Sequence, residues 1–244
     1  MSGNVEADFP SDIAADPKQD NAMRGRFITL EGGEGAGKST QVASLAKRLR
    51  TFGLGVVVSR EPGGSAGAEA IRHVLLSGAA KPLGPHAEAI LFAAARADHL
   101  RQTIRPALAR GEWVISDRFV DSSRIYQGVL GNIDARLISA LEKVTIGDTM
   151  PDLTIILDVP VTQGLERVSK RRGAATPDRF EAEAVDFHKK LREAYLELAE
   201  REPARCIPVD ASGDPQSVAN AVWAVVNARL NPAEASLMIK DAAS

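Results

Sequence analysis

Cysteine is almost missing from this chain. The single thiol, Cys206, excludes an internal disulfide, a usage that suits a reducing, cytoplasmic setting. It lies in the apolar run Cys206-Ile207-Pro208-Val209, where a free thiol packs as a small hydrophobe instead of acting as a nucleophile. Long apolar runs are missing too: none approaches the ~18 residues that a membrane-spanning helix needs. The N-terminus has no basic patch leading into an apolar core, so no secretory signal is expected. Excess charge is the third absence. Thirty basic side chains stand against 32 acidic ones, for a formal net charge of -2. The whole-molecule field therefore gives no reason to expect a nucleic acid or an anionic membrane as partner.

What remains is ordinary for a globular protein. The chain has 244 residues, 44% of them hydrophobic and 25% charged, enough for one α/β domain with a full core. Residues 1–24 are polar, acidic and aperiodic, and read as a mobile leader. Residues 25–230 read as a single domain, and 231–244 as an Ala-rich tail or a weak last helix.

Within the domain, short apolar runs alternate with helical periodicity. Strands are predicted at 27–30, 56–58, 113–115, 153–159 and 205–209. Helices are predicted at 39–50, 68–76, 87–109, 133–146, 162–169, 181–200 and 215–230. Strands that read as unbroken apolar runs between helices imply a parallel sheet of five strands with helices on both faces. Ligands of such sheets bind beyond the carboxyl ends of the strands.

Gly32-Gly33-Glu34-Gly35-Ala36-Gly37-Lys38-Ser39 fills the pattern G-x-x-x-x-G-K-[ST] completely, between an apolar strand and an amphipathic helix. Glycines let backbone N–H groups aim at phosphate oxygens, and the following helix adds its positive end. Lys38 can reach the β- and γ-phosphates, and the Ser39 hydroxyl can ligate Mg²⁺. ATP binding is assigned to residues 32–39 with the adjoining Thr40. A phosphate loop alone does not name a reaction. A guanine-reading N-K-x-D segment is absent, which argues against a switch GTPase. The third strand ends Ile115-Ser116-Asp117-Arg118. One acid followed by a base suits a kinase that holds Mg²⁺ and a second phosphate.

Four segments resemble the bacterial thymidylate kinase family, and the likeness runs from about Arg26 to Leu230. The first is the phosphate loop with an acid, Glu34, inside it. The second is Arg60-Glu61-Pro62-Gly63-Gly64, similar to the family's R-E-P-G-G turn. The third is Leu91-Phe92-Ala93-Ala94-Ala95-Arg96-Ala97-Asp98-His99, where Phe92 and Arg96 share a helix face. The fourth, from Asp117 to Gly128, looks like the signature D-R-[FYH]-x-x-S-S-x-A-Y-Q-G, except that Ile125 stands where the family usually has Ala.

The resemblance implies a P-loop kinase fold that passes the γ-phosphoryl group of ATP to dTMP, with Mg²⁺ as cofactor. It implies that Glu34 faces the acceptor sugar and that Arg60 and Pro62 line the acceptor site through a cis proline bond. Phe92 would stack on thymine, Arg96 contact its O4 edge, and Ser123 and Gln127 lie along the base. Tyr126 would sit under the sugar, favouring deoxyribose, while Arg118 clamps the acceptor phosphate and Asp117 organises Mg²⁺ with Ser39. Family members are usually homodimers, and the helix over 87–109 could pack on a partner.

A basic stretch around 168–180, with Arg167, Lys170, Arg171, Arg172 and Arg179, reads as a lid closing over ATP. Arginines there can offset the charge that spreads over the moving phosphoryl group. Because Glu34 occupies the place where human-type relatives carry an arginine, a catalytic arginine must come from elsewhere. Arg172 and Arg179 are the first choices, and Glu181 would start the next helix. Two other readings stay open at this point: a kinase for another pyrimidine monophosphate, and a non-catalytic nucleotide sensor.

Overall fold

The computed structural model describes residues 24–172, 180 and 183–242. The leader, apart from Arg24, and most of the lid lie outside the described residues. Five strands form the sheet: β1 (Phe27–Glu31), β2 (Val56–Arg60), β3 (Trp113–Asp117), β4 (Leu153–Asp158) and β5 (Cys206–Asp210). Their order is β2-β3-β1-β4-β5, and every pair is parallel. The helices are α1 (Lys38–Thr51), α2 (Ala66–Leu76), α3 (Gly84–His99), α4 (Arg105–Ala109), α5 (Val120–Ser123), α6 (Ala135–Thr145), α7 (Val161–Arg172), α8 (Val185–Arg201), α9 (Pro215–Leu230) and α10 (Pro232–Ala242).

Both faces of the sheet are covered, as the unbroken apolar strands imply. On one face Ile28, Leu30, Ile115 and Ile155 pack on α1 and α9 through Val42, Leu45, Val222 and Val226. On the other, Phe27 and Val114 meet Leu100, Ile104 and Phe119, and Ile156 meets Leu191 and Tyr195 of α8. The edge strand β2 departs from full burial, with Val58 46% exposed, because it has a sheet neighbour on one side only.

Several elements differ from the sequence reading. The helix expected over 87–109 starts earlier and is interrupted by a π-helical turn, Leu100–Ile104, before α4, which carries Pro106 in its first turn. Proline has no N–H to give to the preceding turn, so the regular ladder cannot run through it. A second π-helical segment, Arg124–Leu130, carries most of the fourth family-like motif; such segments gather at functional sites. The helix expected from 181 begins at Val185, and Glu181 lies outside the described residues. At the C-terminus the weak last helix is present as α10, where Ala235 packs on the core and Ser236 Oγ donates to the Phe52 carbonyl.

Candidate active site

The phosphate loop joins the carboxyl end of β1 to α1 and rests on α7. Gly35 has φ +72°, and a Cβ there would collide with the Gly164 carbonyl. Gly164 is bare for the same reason, since its Cβ would lie 2.5 Å from the Glu34 carbonyl. The two backbones touch where no side chain fits, which holds the loop in one shape. Lys38, 8% exposed, folds over the loop and donates to the carbonyls of Gly32 at 3.2 Å and Gly33 at 2.9 Å. Burial lowers its proton affinity, with Arg118 adding to that and Glu34 and Asp117 opposing it.

Ser39 Oγ donates to Asp117 Oδ2 at 2.7 Å. A hydroxyl and a carboxylate side by side at the loop are hard oxygen donors. Among the described residues no cluster of three or more His, Cys, Asp or Glu side chains forms a cage. Such a sparse oxygen set fits Mg²⁺, which keeps several waters and completes its shell with substrate phosphates.

Arg118 has φ +72°, a left-handed conformation uncommon outside glycine. Its N–H donates to the Leu30 carbonyl at 3.0 Å, and its carbonyl accepts from Ser116 Oγ at 2.8 Å. The twist sends the guanidinium back over the phosphate loop. Nη1 donates to Gly32 O, Ser122 Oγ and Tyr195 Oη, each at 3.2 Å, and Nη2 to Glu34 Oε1 at 2.6 Å. Burial works to raise the Glu34 pKa, yet Arg118, then Lys38, and the Tyr126 hydroxyl bring it down to about 2. Tyr126 Oη donates to the same Glu34 oxygen at 3.2 Å. Burial pushes the Tyr126 phenol well above its ordinary range, so it stays protonated and a donor.

One cavity of about 330 Å³ joins the two halves of the site. On the loop side it is lined by Glu34, Gly35, Gly37, Lys38, Ser39 and Thr40. On the other it is lined by Arg60, Pro62, Phe92, Arg96, Arg118 and Ser123, with Tyr126, Gln127 and Asp117 between. Residues from all four motifs thus meet in one space. Gly32, Gly33 and Ala36 shape the loop from behind; the first two line a smaller pocket with Tyr195 and His188. The Glu61–Pro62 bond is cis. Arg60 is spread at the rim and paired with Glu69 at 3.0 Å. The Ser123 hydroxyl accepts from Arg96 Nη2 at 2.9 Å, so it supports the arginine as well as facing the cavity.

Of the basic residues at the end of α7, Arg171 lines the cavity and Arg172 closes the helix. Arg179 lies outside the described residues. Phe180 lines the cavity and meets Tyr126 edge to face, centroids 5.2 Å apart. Ile125, the departure from the family motif, faces away from the site. It is 2% exposed in the core cluster with Ile156, Leu191 and Tyr195.

Sequence reasoning assigned no role to Glu31, Ser122 or Tyr195. Glu31 is fully buried and accepts from Phe119 N at 2.8 Å, Ser122 Oγ at 2.7 Å and Tyr195 Oη at 2.9 Å. Burial, helped by nearby Asp121, raises its pKa. A signal existed for Glu31, an acid closing an apolar strand. None existed for Tyr195, which sits at helical spacing among apolar neighbours and reads as core.

A phosphate loop and a second cationic site facing one cavity, at the carboxyl end of a parallel sheet, define a nucleoside monophosphate kinase, a phosphotransferase. The thymidylate kinase family profile matches residues 30–222. A thymidylate kinase of Bradyrhizobium diazoefficiens is 57% identical over 220 residues, 90% of this chain and 96% of that one. One from Rhodopseudomonas palustris is 59% identical over 216 residues, 88% and 94% of the two chains. The crystal structure of thymidylate kinase from Ehrlichia chaffeensis superposes with a TM-score of 0.66 at 32% identity, over 84% of this chain and 99% of that one. The chain belongs to the thymidylate kinase family.

Proposed function

We infer that this protein transfers the γ-phosphoryl group of ATP to dTMP, giving dTDP and ADP, a step that supplies dTTP for DNA synthesis. The observation that carries the reading is the shared cavity, with Lys38 and Ser39 at one end and Phe92, Arg96 and Tyr126 at the other. In this reading the β- and γ-phosphates lie in the loop under Lys38. Mg²⁺, held by Ser39 and Asp117, would offset the charge between the phosphates. The thymine ring stacks on Phe92 and meets Arg96, with Ser123 and Gln127 along its edge. Arg60 and Pro62 border the acceptor, and Arg118 holds its phosphate.

Attack comes from an acceptor phosphate oxygen. A bond forms from it to Pγ while the bond from Pγ to the β-γ bridging oxygen breaks, and ADP leaves with that electron pair. The attacking oxygen is already ionised near neutral pH, so no strong general base is needed. Catalysis is positioning and charge stabilisation. Burial of Tyr126 keeps its phenol protonated. It therefore donates to Glu34 and leaves that carboxylate as an acceptor toward the sugar 3'-hydroxyl. Arg171, on the cavity wall, joins Arg172 and Arg179 as a source of the positive charge that the phosphoryl group meets.

Among the described residues no helix is long and apolar enough to cross a membrane. The lone buried thiol, Cys206, supports a cytoplasmic site of action. The exposed Leu83, just before α3, and Ile90, on α3, favour a homodimer through that region, which light scattering on the pure protein would test. The activity is tested by incubating the protein with Mg-ATP and, separately, dTMP, dUMP, UMP, dCMP and dGMP, with product identity checked. Fast dTDP formation, with UMP and dCMP used at least about tenfold less well, is the expected outcome. ADP release with no phosphorylated acceptor would refute the reading.

A further inference from the structure

A line of buried hydrogen bonds reaches the base end of the cavity from behind. Ser59 Oγ, on β2, lies 2.5 Å from His99 Nε2, at the end of α3. His99 Nδ1 lies 3.1 Å from Glu61 Oε1, and Glu61 Oε2 accepts from Arg96 Nε at 2.7 Å. His99 is 0% exposed, Glu61 6% and Arg96 4%.

The chemistry of the line sets its direction. An ionised carboxylate only accepts, so His99 Nδ1–H donates to Glu61. In the neutral ring Nε2 is then the acceptor, and the Ser59 hydroxyl donates to it. Glu61 carries the negative charge that balances Arg96 in a buried setting, where an unpaired charge would be costly. Arg96 Nη2 is also occupied, by Ser123 Oγ at 2.9 Å and the Phe119 carbonyl at 3.2 Å. That leaves Nη1, which makes no hydrogen bond to the described residues, on a side chain that lines the cavity.

The double-glycine turn bears on the same contact independently. Gly64 has φ +85°, and a Cβ there would collide with both Ser59 Oγ and His99 Nε2. The turn is bare where Ser59 and His99 meet. Thr103 Oγ1, from the π-helical turn after α3, donates to the Gly64 carbonyl at 2.7 Å and holds the turn against that contact.

We propose that His99, acting through Glu61, is a positioning residue for base specificity: it locks the Arg96 guanidinium so that Nη1 presents a fixed donor to the 4-position of the pyrimidine. The proposal rests on the dTMP reading of the cavity. Thymine offers a carbonyl oxygen at that position and cytosine an amino group. A pinned donor rewards the first and leaves both groups unpaired with the second, a mismatch that binding sites reject strongly. An arginine free to change rotamer would turn away from the amino group and lose that discrimination.

The test compares wild type with His99→Leu, His99→Asn and Ser59→Ala. It reads kcat and KM for dTMP, dCMP and ATP, together with thermal midpoints. His99→Leu is expected to raise KM for dTMP about tenfold and to shrink the preference for dTMP over dCMP by a similar factor. KM for ATP should stay within about twofold, since that end of the cavity is untouched. His99→Asn, whose amide can still donate to Glu61, is expected to recover most of the loss, and Ser59→Ala to show a smaller shift in the same direction. A folded His99→Leu with the wild-type dTMP to dCMP ratio would overturn the proposal, as would equal losses toward ATP and dTMP. If His99→Leu does not fold, Ser59→Ala decides: an unchanged dTMP to dCMP ratio overturns the proposal, and a reduced ratio supports it. Wild-type protein that prefers a different monophosphate would sink the substrate reading instead. The His99 proposal is then decided by KM for that preferred monophosphate.

Discussion

Arg118 Nη2 and Glu34 Oε1 meet at 2.6 Å above the phosphate loop, with side chains only 15% and 17% exposed. Burial works against the Arg118 charge, but the Glu34 carboxylate beside it more than compensates, and the guanidinium stays a cation. The acid and the base neutralise each other between the two ends of one cavity. An anionic acceptor that reaches Arg118 therefore meets a guanidinium already held in place.

The pair makes stability depend on acid. Glu34 sits at about 2 in the folded chain, against an ordinary value of 4.5. Its pKa is depressed, so its contribution is complete above pH 4.5 and is lost as pH falls toward 2. The loss amounts to roughly 3 kcal/mol. Acid unfolding of wild type and Glu34→Gln, compared from pH 6 down to 2, is expected to show this slope in wild type and a flatter one in the variant. Parallel curves would show that the pair contributes no such linkage.

Lys38→Ala is expected to lower kcat on the order of 10³-fold, the loss typical of an electrostatic group at a reacting centre. Its thermal midpoint should change little, because among the described residues Lys38 bonds only to loop carbonyls. Steady-state turnover beside a melting curve checks both parts.

Gly164→Ala should disturb the donor end from a distance. The new Cβ would lie 2.5 Å from the Glu34 carbonyl, so either α7 or the phosphate loop must move. A higher KM for ATP with a lower melting temperature is expected, and weaker equilibrium binding of dTMP as well, because the displaced Glu34 holds Arg118 and meets Tyr126 on the acceptor side. The same change at Gly213, where the nearest atom is 3.8 Å away, is the control and should be silent.

Ile125→Ala restores the residue more usual in the family but empties a filled core position. Ile125 is 2% exposed against Ile156, Leu191 and Tyr195. A loss of about 2–5 kcal/mol is expected by denaturant unfolding, with KM for dTMP unchanged. A rise in KM would mean that the residue also acts on its neighbour Tyr126.

Arg171 and Arg172 are adjacent in sequence but differently placed. Arg171 is on the cavity wall. Arg171→Ala should cut kcat at least about tenfold, and Arg172→Ala by less. The reverse order would restore Arg172 as the main catalytic arginine of this helix end.

Local chemistry made much of this readable. The phosphate loop is a contiguous motif whose function follows from backbone geometry within eight residues. The β1, β3 and β4 runs were legible because burial on both faces demands unbroken apolar sequence. The expected acceptor side came from the family resemblance at Asp117-Arg118 and at Phe92 and Arg96, since their spacing alone fits core packing as well. Other features left no such trace. The π-helical turn at Leu100–Ile104 has the same apolar spacing as a regular helix. Tyr195 looks like core until its hydroxyl is seen beside Glu31 and Arg118. Arg171 and Arg172 cannot be told apart by composition.

The sequence by itself determined the sheet's apolar strands, the phosphate loop and the family likeness, because each depends on residues close together in the chain. Tertiary structure decided which side chains share a space. Glu34 and Arg118 are 84 positions apart, and Arg118 and Tyr195 are 77 apart. Their meeting depends on the strand order β2-β3-β1-β4-β5, which brings β1 and β3 side by side. The left-handed backbone at Arg118 and the touching glycines at Gly35 and Gly164 are likewise products of packing. Their cost is local, and the contacts that offset it come from distant parts of the chain.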